Sequence, residues 1–282
     1  PEYVEHLVEH QLRRDHVLIA IGGGIIQDIT SFLAAIMLRG VAWEFYPSTL
    51  LAQADSCIGS KSSINSGSAK NILGTFTPPR KIVVYPEFLK TLSKRDFCSG
   101  VGEILKVHII DGPESFDIVA GQNEALMASG SFLEACMMRA LEVKKQYIEK
   151  DEFDRGLRNN FNYGHTFGHA IESATQFAIP HGIAVAMGMD LANWVSAGLR
   201  VGTLKNFERM HPTLQKVFHE FADSPIPLAE VWTALSKDKK NIGSSLMLIL
   251  PDREARLQKT PCFNDGRFRQ LCAAYLQSVR AA

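Results

Sequence analysis

The sequence predicts an α/β domain followed by an α-helical domain, and three observations carry this prediction. An apolar run at residues 19–21 stops at Gly22-Gly23-Gly24, and helical apolar spacing follows, which is the order strand, glycine turn, helix. A second short strand pattern, Lys81–Tyr85, ends at Pro86. From about Phe88 onward the apolar periodicity is helical.

Local patterns place the first elements. A short amphipathic helix is expected at Glu2–Arg13 and a strand at Val17–Ile21. The helix after the glycine turn covers residues 25–35. Another helix begins near Leu50, where a serine and a threonine, Ser48 and Thr49, are candidate caps.

The longer periodic segments form the second domain. They are predicted as helices at Ser99–Ile110, Ser131–Lys150, Asn162–Phe177 and His181–Leu199. We therefore divide the chain into residues 1–90 and 91–282, with a ligand cleft expected between the two domains.

Composition excludes several classes of protein. Lys plus Arg and Asp plus Glu number 30 each, so no overall charge favours nucleic acid or a membrane surface. The five cysteines have no paired spacing, which favours reduced thiols in a cytoplasmic protein. No apolar run reaches the ~18 residues of a membrane span.

Three histidines form a candidate metal site. His165 and His169 stand four apart with helical spacing, so both imidazoles project from one helix face. His181 follows a break at Pro180 and can return a third imidazole toward them. An open zinc site needs about three such ligands. The alternative is that His165 and His169 are partly exposed helix residues and His181 only begins a helix, since the general-base Glu of the metalloprotease motif is absent.

The glycine turn is a candidate phosphate site. Gly22-Gly23-Gly24 lets the backbone approach a ligand, and the amides at the following helix N-terminus suit a pyrophosphate. The spacing is not that of the dinucleotide fingerprint, so the turn alone can equally close a βα unit.

Taken in order, these segments resemble the dehydroquinate synthase family of sugar phosphate cyclases. The shared motifs are Gly22-Gly23-Gly24 with Asp28, Arg39-Gly40, residues 47–56, Lys61, Lys70-Asn71, residues 102–106, residues 151–158 and the histidine block. The resemblance implies an α/β nucleotide-binding domain followed by an α-helical metal-binding domain. Family members have earlier strands in the nucleotide domain, so it also implies that the N-terminal part of that domain is missing here.

The resemblance assigns the metal ligands to Glu103, His165 and His181. Zinc is the expected metal, with cobalt as the alternative. His169 would be a polar neighbour of the ligands or a proton-transfer residue, and Lys106, one helical turn after Glu103, would take part in catalysis. A competing ligand, His108, matches no motif and is expected in the core or on the surface.

The resemblance also implies NAD as cofactor. The matching residues are Gly23, Gly24, Asp28, Ser48, Thr49, Asp55, Lys61, Lys70 and Thr91. Structural alternatives remain open: Asp28 can be a carboxylate in a helix turn, Ser48 and Thr49 can be caps, and the lysines can lie on the surface.

Substrate contacts follow the same correspondence. Those to the substrate phosphate are Arg39, Lys61, Asn71, Lys239 and Lys240, with Arg39 placed to reach across a homodimer. Those to a carboxylate and hydroxyls are Lys144, Arg158 and Asn162. A guanidinium can bind a carboxylate in bidentate fashion, so Arg158 favours an acidic substrate. Its alternative is to cover a helix end or pair with Asp154.

Five positions depart from the usual family pattern. Gly59-Ser60-Lys61-Ser62 replaces Gly-Gly-Lys-Thr, Gln27 stands where a small residue is usual, Ser48 replaces a threonine, and Ile183 stands where Glu is usual. The metal ligands and the principal cations are all retained, so these changes bear on the choice of substrate.

The implied activity is that of an NAD- and metal-dependent carbon–oxygen lyase. It would convert 3-deoxy-D-arabino-heptulosonate 7-phosphate into 3-dehydroquinate and phosphate in the shikimate pathway, with NAD recycled. Three alternatives stay open: a cyclase for another substrate such as sedoheptulose 7-phosphate, a metal-dependent polyol or glycerol phosphate dehydrogenase, and a non-catalytic relative.

Overall fold

The structure, a computed structural model, describes residues 1–66, 69–153, 156–237, 241 and 245–281. Within these ranges, residues 66 and 69–71 are described by their backbone alone. An α/β part precedes a helical part, which confirms the predicted order.

A parallel sheet organises the α/β part. Its strand order is β1 (Val17–Gly22), β2 (Ala42–Pro47), β5 (Lys81–Ile82), after a first helix α1 (Glu2–Glu9) and with α2 (Gly24–Ile36) joining β1 to β2. An antiparallel pair, β3 (Ile64–Ser66) and β4 (Ala69–Leu73), lies between β2 and β5 in the chain. The register sets Gly22 beside Pro47, so the glycine turn and the segment after β2 leave the sheet at the same edge. Ligands of open parallel sheets bind at this carboxyl edge.

The second part consists mainly of helices. They are α3 (Lys94–Asp111), α4 (Pro113–Gly121), α5 (Asn123–Leu126), α6 (Ser131–Lys150), α7 (His165–Ala174), α8 (His181–Gly198), α9 (Leu204–Phe218), α10 (Leu228–Ser236) and α11 (Gly266–Gln277). Among the described helices, none is long and apolar enough to cross a bilayer.

Helix α8 is the centre of the core. Nearly all of its residues from Gly182 to Val195 are buried, as expected of a helix that is apolar on all sides. The same core includes Leu50, just before the π-helical turn Ala52–Ser56, and Ala54, within that turn. The segment after β2 is therefore anchored in the helical part, and this brings the carboxyl edge of the sheet against α3.

Several elements differ from prediction. Residues 245–263 contain a hairpin, β6 (Ser245–Pro251) and β7 (Leu257–Phe263), within the part predicted to be helical. A short apolar run such as Leu246–Leu250 fits either state, and here pairing with β7 decides it. Strand β2 was not predicted.

Boundaries shift at four predicted elements. Helix α1 stops at Glu9, and β5 is only two residues long although Val83 N–H still donates to the Phe45 carbonyl. Helix α3 starts at Lys94, earlier than predicted, because Ser93 caps it through the Asp96 N–H. Helix α7 starts at His165, with a 3₁₀ segment, Leu157–Asn162, before it.

All five cysteines are free and buried. They are distributed over both parts of the molecule, at Cys57, Cys98, Cys136, Cys262 and Cys272. Burial raises the pKa of each thiol, to about 12 at Cys57 and about 11 at Cys136.

Candidate active site

Three imidazoles converge where α7 and α8 begin. His165 and His169 lie on one face of α7, and His181 is the first residue of α8. Their ligand nitrogens all lie within 4.8 Å of one another. This arrangement can hold a divalent metal ion.

Glu103 brings a buried carboxylate to the imidazoles. It lies in α3 and is 2% exposed, with Oε1 at 3.3 Å from His181 Nε2 and 3.8 Å from His165 Nε2. Carboxylate oxygen with imidazole nitrogen is a donor set suited to zinc and similar ions. The fold thus brings the predicted set Glu103, His165 and His181 together, and His169 stands beside it as a further donor.

Close approach of α3 and α8 sets Glu103 against His181. A methyl group on Gly102 would overlap the Gly182 carbonyl, and one on Gly182 would overlap the Ser99 carbonyl. The Gly182 N–H also donates to Ser99 Oγ at 2.9 Å. The glycines next to two of the proposed ligands therefore form the helix contact itself.

Burial and neighbouring charges set the state of the imidazoles. Burial, reinforced by Lys106, holds the pKa of His165 well below its usual value, so this ring is neutral and has a lone pair to offer. Burial also opposes charge on His181, but hydrogen bonds to Glu103 and Glu172 outweigh it and raise its pKa to about 10.

Glu172 contacts the other nitrogen of His181. Its Oε2 lies 3.2 Å from His181 Nδ1, and its side chain is buried in α7. A carboxylate at Nδ1 leaves Nε2 to face the metal position. Sequence reasoning missed Glu172, although it stands three residues after His169 on the same helix face.

A chain of buried charges leads from Glu103 to the sheet edge. Lys106 Nζ lies 2.5 Å from Glu103 Oε2 and 2.7 Å from Asp55 Oδ2. Lys144 Nζ lies 2.6 Å from Asp55 Oδ1 and donates to the Asp55 carbonyl at 2.6 Å. Burial would raise the pKa of the Asp55 carboxyl, but the two ammonium groups outweigh it and lower that pKa. The three predicted residues Asp55, Lys106 and Lys144 therefore form one charged network.

A cavity of about 150 Å³ adjoins this network at Lys144. Residues predicted to contact the cofactor and residues predicted to contact the substrate share its walls. The lining residues are Gly24, Gln27, Asp28, Ser56, Ile58, Gly59, Lys61, Lys144 and Arg158.

Several predicted cofactor residues lie at the carboxyl edge of the sheet. Gly23 precedes α2 and packs on the Thr49 side chain. Thr49 Oγ1 accepts the Ala52 N–H at 3.2 Å, so its alternative role as a cap is confirmed. Ser48 N–H donates to the Gly22 carbonyl at 2.9 Å. Asp28 accepts the Ser63 N–H at 3.0 Å, and burial raises the pKa of the Asp28 carboxyl to about 6.

Arg158 is a buried cation of the cavity wall. Its Nη1 donates to the Glu152 carbonyl at 2.7 Å, and its backbone N–H donates to Asp151 Oδ2 at 3.0 Å. A guanidinium has five N–H donors, so this side-chain bond leaves others for a ligand carboxylate. Asp154, its alternative partner, lies outside the described residues. Asn162 ends the 3₁₀ segment before α7, and its Nδ2 donates to the Asn159 carbonyl at 3.1 Å.

Some predicted residues do not reach this cavity. Arg39 is exposed in the 3₁₀ turn Met37–Arg39, at the opposite end of α2 from the glycine turn and thus ~20 Å along the helix axis. Thr91 is exposed, and its hydroxyl donates to the Phe88 carbonyl. The side chains of Lys70 and Asn71, and Lys239 and Lys240 entirely, lie outside the described residues.

His108 occupies the core position expected of it. It is 4% exposed, with Nδ1 at 2.8 Å from Ser115 Oγ and Nε2 at 3.2 Å from the Cys136 carbonyl. Both ring nitrogens thus contact protein groups, away from the imidazole cluster.

The chain matches known proteins along most of its length. Residues 1–99 match the 3-dehydroquinate synthase N-terminal family, and residues 100–241 match the 3-dehydroquinate synthase C-terminal family. The 3-dehydroquinate synthase of Helicobacter pylori (strain G27) is 38% identical over 244 residues, which cover 86% of this chain and 70% of the relative.

Solved structures share the fold. The 2-epi-5-epi-valiolone synthase of Streptomyces hygroscopicus subsp. jinggangensis 5008, with NAD+ and Zn2+ bound, has a TM-score of 0.85 at 25% identity and covers 98% of this chain and 76% of its own. A 2-deoxy-scyllo-inosose synthase, complexed with carbaglucose-6-phosphate, NAD+ and Co2+, has a TM-score of 0.87 at 24% identity and covers 96% and 77%.

Proposed function

The chain belongs to the 3-dehydroquinate synthase family, and from that membership we propose that it converts 3-deoxy-D-arabino-heptulosonate 7-phosphate into 3-dehydroquinate and phosphate. It is an enzyme of the phosphate-eliminating lyase type, with its place in the shikimate pathway. One observation of the site carries the proposal: the buried charges Glu103, Lys106, Asp55 and Lys144 connect the imidazole cluster to the cavity that holds Arg158.

We further propose NAD and a divalent metal ion as cofactors, with zinc as the metal and cobalt as the alternative. The valiolone synthase binds NAD+ and Zn2+, and the inosose synthase binds NAD+ and Co2+. The donor set fits, because a buried carboxylate meets a neutral imidazole and two further ring nitrogens. Glu103, His165 and His181 are the proposed ligands.

Bound NAD supplies hydride acceptance and return at a substrate hydroxyl, and the bound metal polarises substrate oxygens. The chain's own residues bind and orient the substrate. Arg158, with Lys144 and Asn162, holds the carboxylate and hydroxyls, and its guanidinium supplies parallel N–H donors. His169, beside the proposed ligands, moves a proton to or from a substrate oxygen.

The cations prepare the phosphate to leave. With the nearby hydroxyl oxidised to a ketone, the C–H beside that ketone would be acidic; its proton would pass to an oxygen of the substrate phosphate, a C=C bond would form, and the C–O bond to phosphate would break. Lys61 lines the cavity and is proposed to hold the phosphate, together with Asn71, the lysines at 239 and 240, and Arg39 from a second copy of the chain. Fixed positive charge at the leaving group lowers the barrier without reorganisation during the reaction.

Simultaneous detection of phosphate and NADH tests the proposed reaction. The zinc-loaded chain with NAD and 3-deoxy-D-arabino-heptulosonate 7-phosphate should release phosphate with no net NADH, and NMR should show 3-dehydroquinate. Net NADH would instead indicate a dehydrogenase, and preferred turnover of sedoheptulose 7-phosphate a different cyclase. Neither product from the metal-loaded, NAD-bound chain would indicate a non-catalytic relative.

A homodimer in the cytoplasm is the proposed form of the enzyme. Support comes from Arg39, which is exposed and remote from the cavity of its own chain, as a residue that serves a partner's site would be. Light scattering should give twice the chain mass. Mixing inactive Arg39→Ala with inactive Arg158→Leu should restore part of the activity. Each mixed dimer then holds one intact site, which combines Arg158 of one chain with Arg39 of the other. Failure of the mixture to recover would contradict a role for Arg39 across the interface.

A further inference from the structure

Gln27 is a polar residue in the wall of the active-site cavity for which the reaction scheme has no role. It lies in the first turns of α2, close after the glycine turn, and is only 6% exposed. Burying an amide side chain is unfavourable unless its hydrogen bonds are satisfied, so its partners indicate what it does.

Gln27 and Ser56 bind each other reciprocally. Gln27 Nε2 donates to the Ser56 carbonyl at 2.6 Å, and Ser56 Oγ donates to Gln27 Oε1 at 2.7 Å. Both residues line the cavity. We call this pair of hydrogen bonds the Gln27–Ser56 bridge. It joins α2 on the cofactor side to the last residue of the π-helical turn Ala52–Ser56.

The bridge holds the turn that carries Asp55. Asp55 directly precedes Ser56, and its carboxylate and carbonyl are bound by Lys106 and Lys144 from the helical part. The turn is therefore held on one side by the lysines and on the other by Gln27. With both sides fixed, the distance between the first turn of α2 and the lysine network is fixed as well.

We infer that the Gln27–Ser56 bridge is a positioning element for the reaction. It sets the separation between the cofactor wall, at Gly24 and Asp28, and the substrate wall, at Lys144 and Arg158. The inference rests on the proposed function, because hydride transfer needs its two reacting atoms ~3 to 3.5 Å apart and a small displacement is costly. A small residue at position 27 would lack the reach to make the bridge.

The test compares variants that remove the bridge in steps. Gln27→Met has similar length but no hydrogen bonds, whereas Ser56→Ala keeps the bond from the amide to the carbonyl. We expect Gln27→Met to lower kcat ~10- to 100-fold with little change in the substrate KM, and Ser56→Ala to lower kcat less. The double variant should equal Gln27→Met, because both changes remove the same bridge. Should Gln27→Met not fold, the smaller loss in Ser56→Ala still tests the inference.

Ser31→Ala is the matched control. Ser31 lies in the same helix, is 2% exposed and donates to the Thr77 carbonyl at 2.9 Å, away from the cavity lining. If the bridge variants lose no more kcat than Ser31→Ala at comparable Tm, the bridge is only a buried hydrogen bond and the inference fails. The inference also fails if the decreases in kcat of Gln27→Met and Ser56→Ala multiply in the double variant.

Calorimetric titration with NAD separates this inference from the proposed reaction. Gln27→Met should raise the Kd for NAD ~5-fold or more, a change of about 1 kcal/mol, while Ser31→Ala should leave it unchanged. If the wild-type chain releases no phosphate, the proposed function fails and the titration alone decides the role of the bridge. An unchanged Kd in Gln27→Met would then reject it.

Discussion

Among the described residues, Glu103, His165, His169 and His181 surround the proposed metal position, and all but His169 are proposed as ligands. His165 and His169 share one helix face. Replacing each in turn therefore distinguishes the proposed metal ligand, His165, from the proposed proton-transfer residue, His169. His165→Ala should strongly depress bound zinc, because a direct ligand is lost. His169→Ala should retain zinc and lose turnover, because a proton-transfer group is lost. Elemental analysis and phosphate release measure the two effects. Full zinc occupancy in His165→Ala, or an equal loss of bound zinc in both variants, would contradict the assignment of His165 as a ligand and His169 as a proton-transfer residue.

Arg158 is the residue that we propose to select a carboxylate substrate. Removing one partner of a buried charge pair typically costs ~2 to 5 kcal/mol, or roughly thirty-fold to several thousand-fold in kcat/KM. Arg158→Leu should therefore impair turnover of 3-deoxy-D-arabino-heptulosonate 7-phosphate far more than turnover of a carboxylate-free analogue. Arg95→Leu is the control, since Arg95 is exposed and paired with Glu220 at the surface. Equal losses for both substrates would show that Arg158 is structural.

Asp28 links the cofactor site to pH. Burial raises the pKa of its carboxyl from 3.8 to about 6, so the cost of this carboxyl to folding stability grows as the pH rises from 3.8 to about 6 and is fully present above that. Asp28→Asn should raise Tm at neutral pH and weaken NAD binding. The gain in Tm should shrink as the pH falls from about 6 towards 3.8, because the folded wild-type carboxyl is then protonated. Thermal scans without NAD across this pH range measure the difference in Tm between Asp28→Asn and the wild-type chain. A difference that grows on acidification would contradict the raised pKa of Asp28.

Sequence reasoning found the residues of this site unevenly. The pair His165 and His169 follows from helical spacing, and His181 from the break at Pro180. Apolar periodicity does not predict the ion pairs of Asp55 with Lys106 and Lys144, because these contacts form only when the π-helical turn packs against α3 and α6. Those residues entered through family resemblance.

At the scale of elements, the contact of α3 with α8 holds Glu103 against His181 in the proposed metal site. Gly102→Ala should push the helices apart, lower stability by about 1 to 3 kcal/mol and weaken zinc binding, because Glu103 moves with α3. Gly121→Ala is the control, since a methyl group there meets nothing within 4 Å. It should be neutral or stabilising by up to about 1 kcal/mol. Denaturant unfolding and zinc titration measure both effects, and equal behaviour of the two variants would contradict the contact's role.

Long periodic helices were the most predictable elements. The bounds Ser131–Lys150 were predicted as the structure has them, because α6 presents a sustained apolar face. The hairpin of β6 and β7 was not predicted, since an apolar run such as Leu246–Leu250 fits a strand or a buried helix and the pairing of the two strands is a tertiary property. Helix α3 was predicted to start too late, because the Ser93 cap was overlooked.

At the scale of the whole molecule, part of the first proposed domain packs into the core of the second, while the sheet also has a cluster of its own that includes Trp43 and Phe45. Leu50 and Ala54, from the part before residue 90, belong to the same cluster as the buried face of α8. Residues 1–90 and 91–282 should therefore unfold together, and calorimetry should give one transition with equal calorimetric and van't Hoff enthalpies. Two resolved transitions would show that the division at residue 90 is also a division in stability.

The buried cysteines allow local opening of the structure to be measured by thiol labelling of the unmodified chain. Each thiol is enclosed and its pKa is raised, so a thiol-reactive dye cannot label it until the surrounding structure opens. Labelling rates at Cys57, Cys136 and Cys272 would thus read opening near the sheet edge, in α6 and in α11. Adding NAD or zinc should slow labelling at the sites that each ligand holds closed, which locates its stabilising effect without any engineered probe.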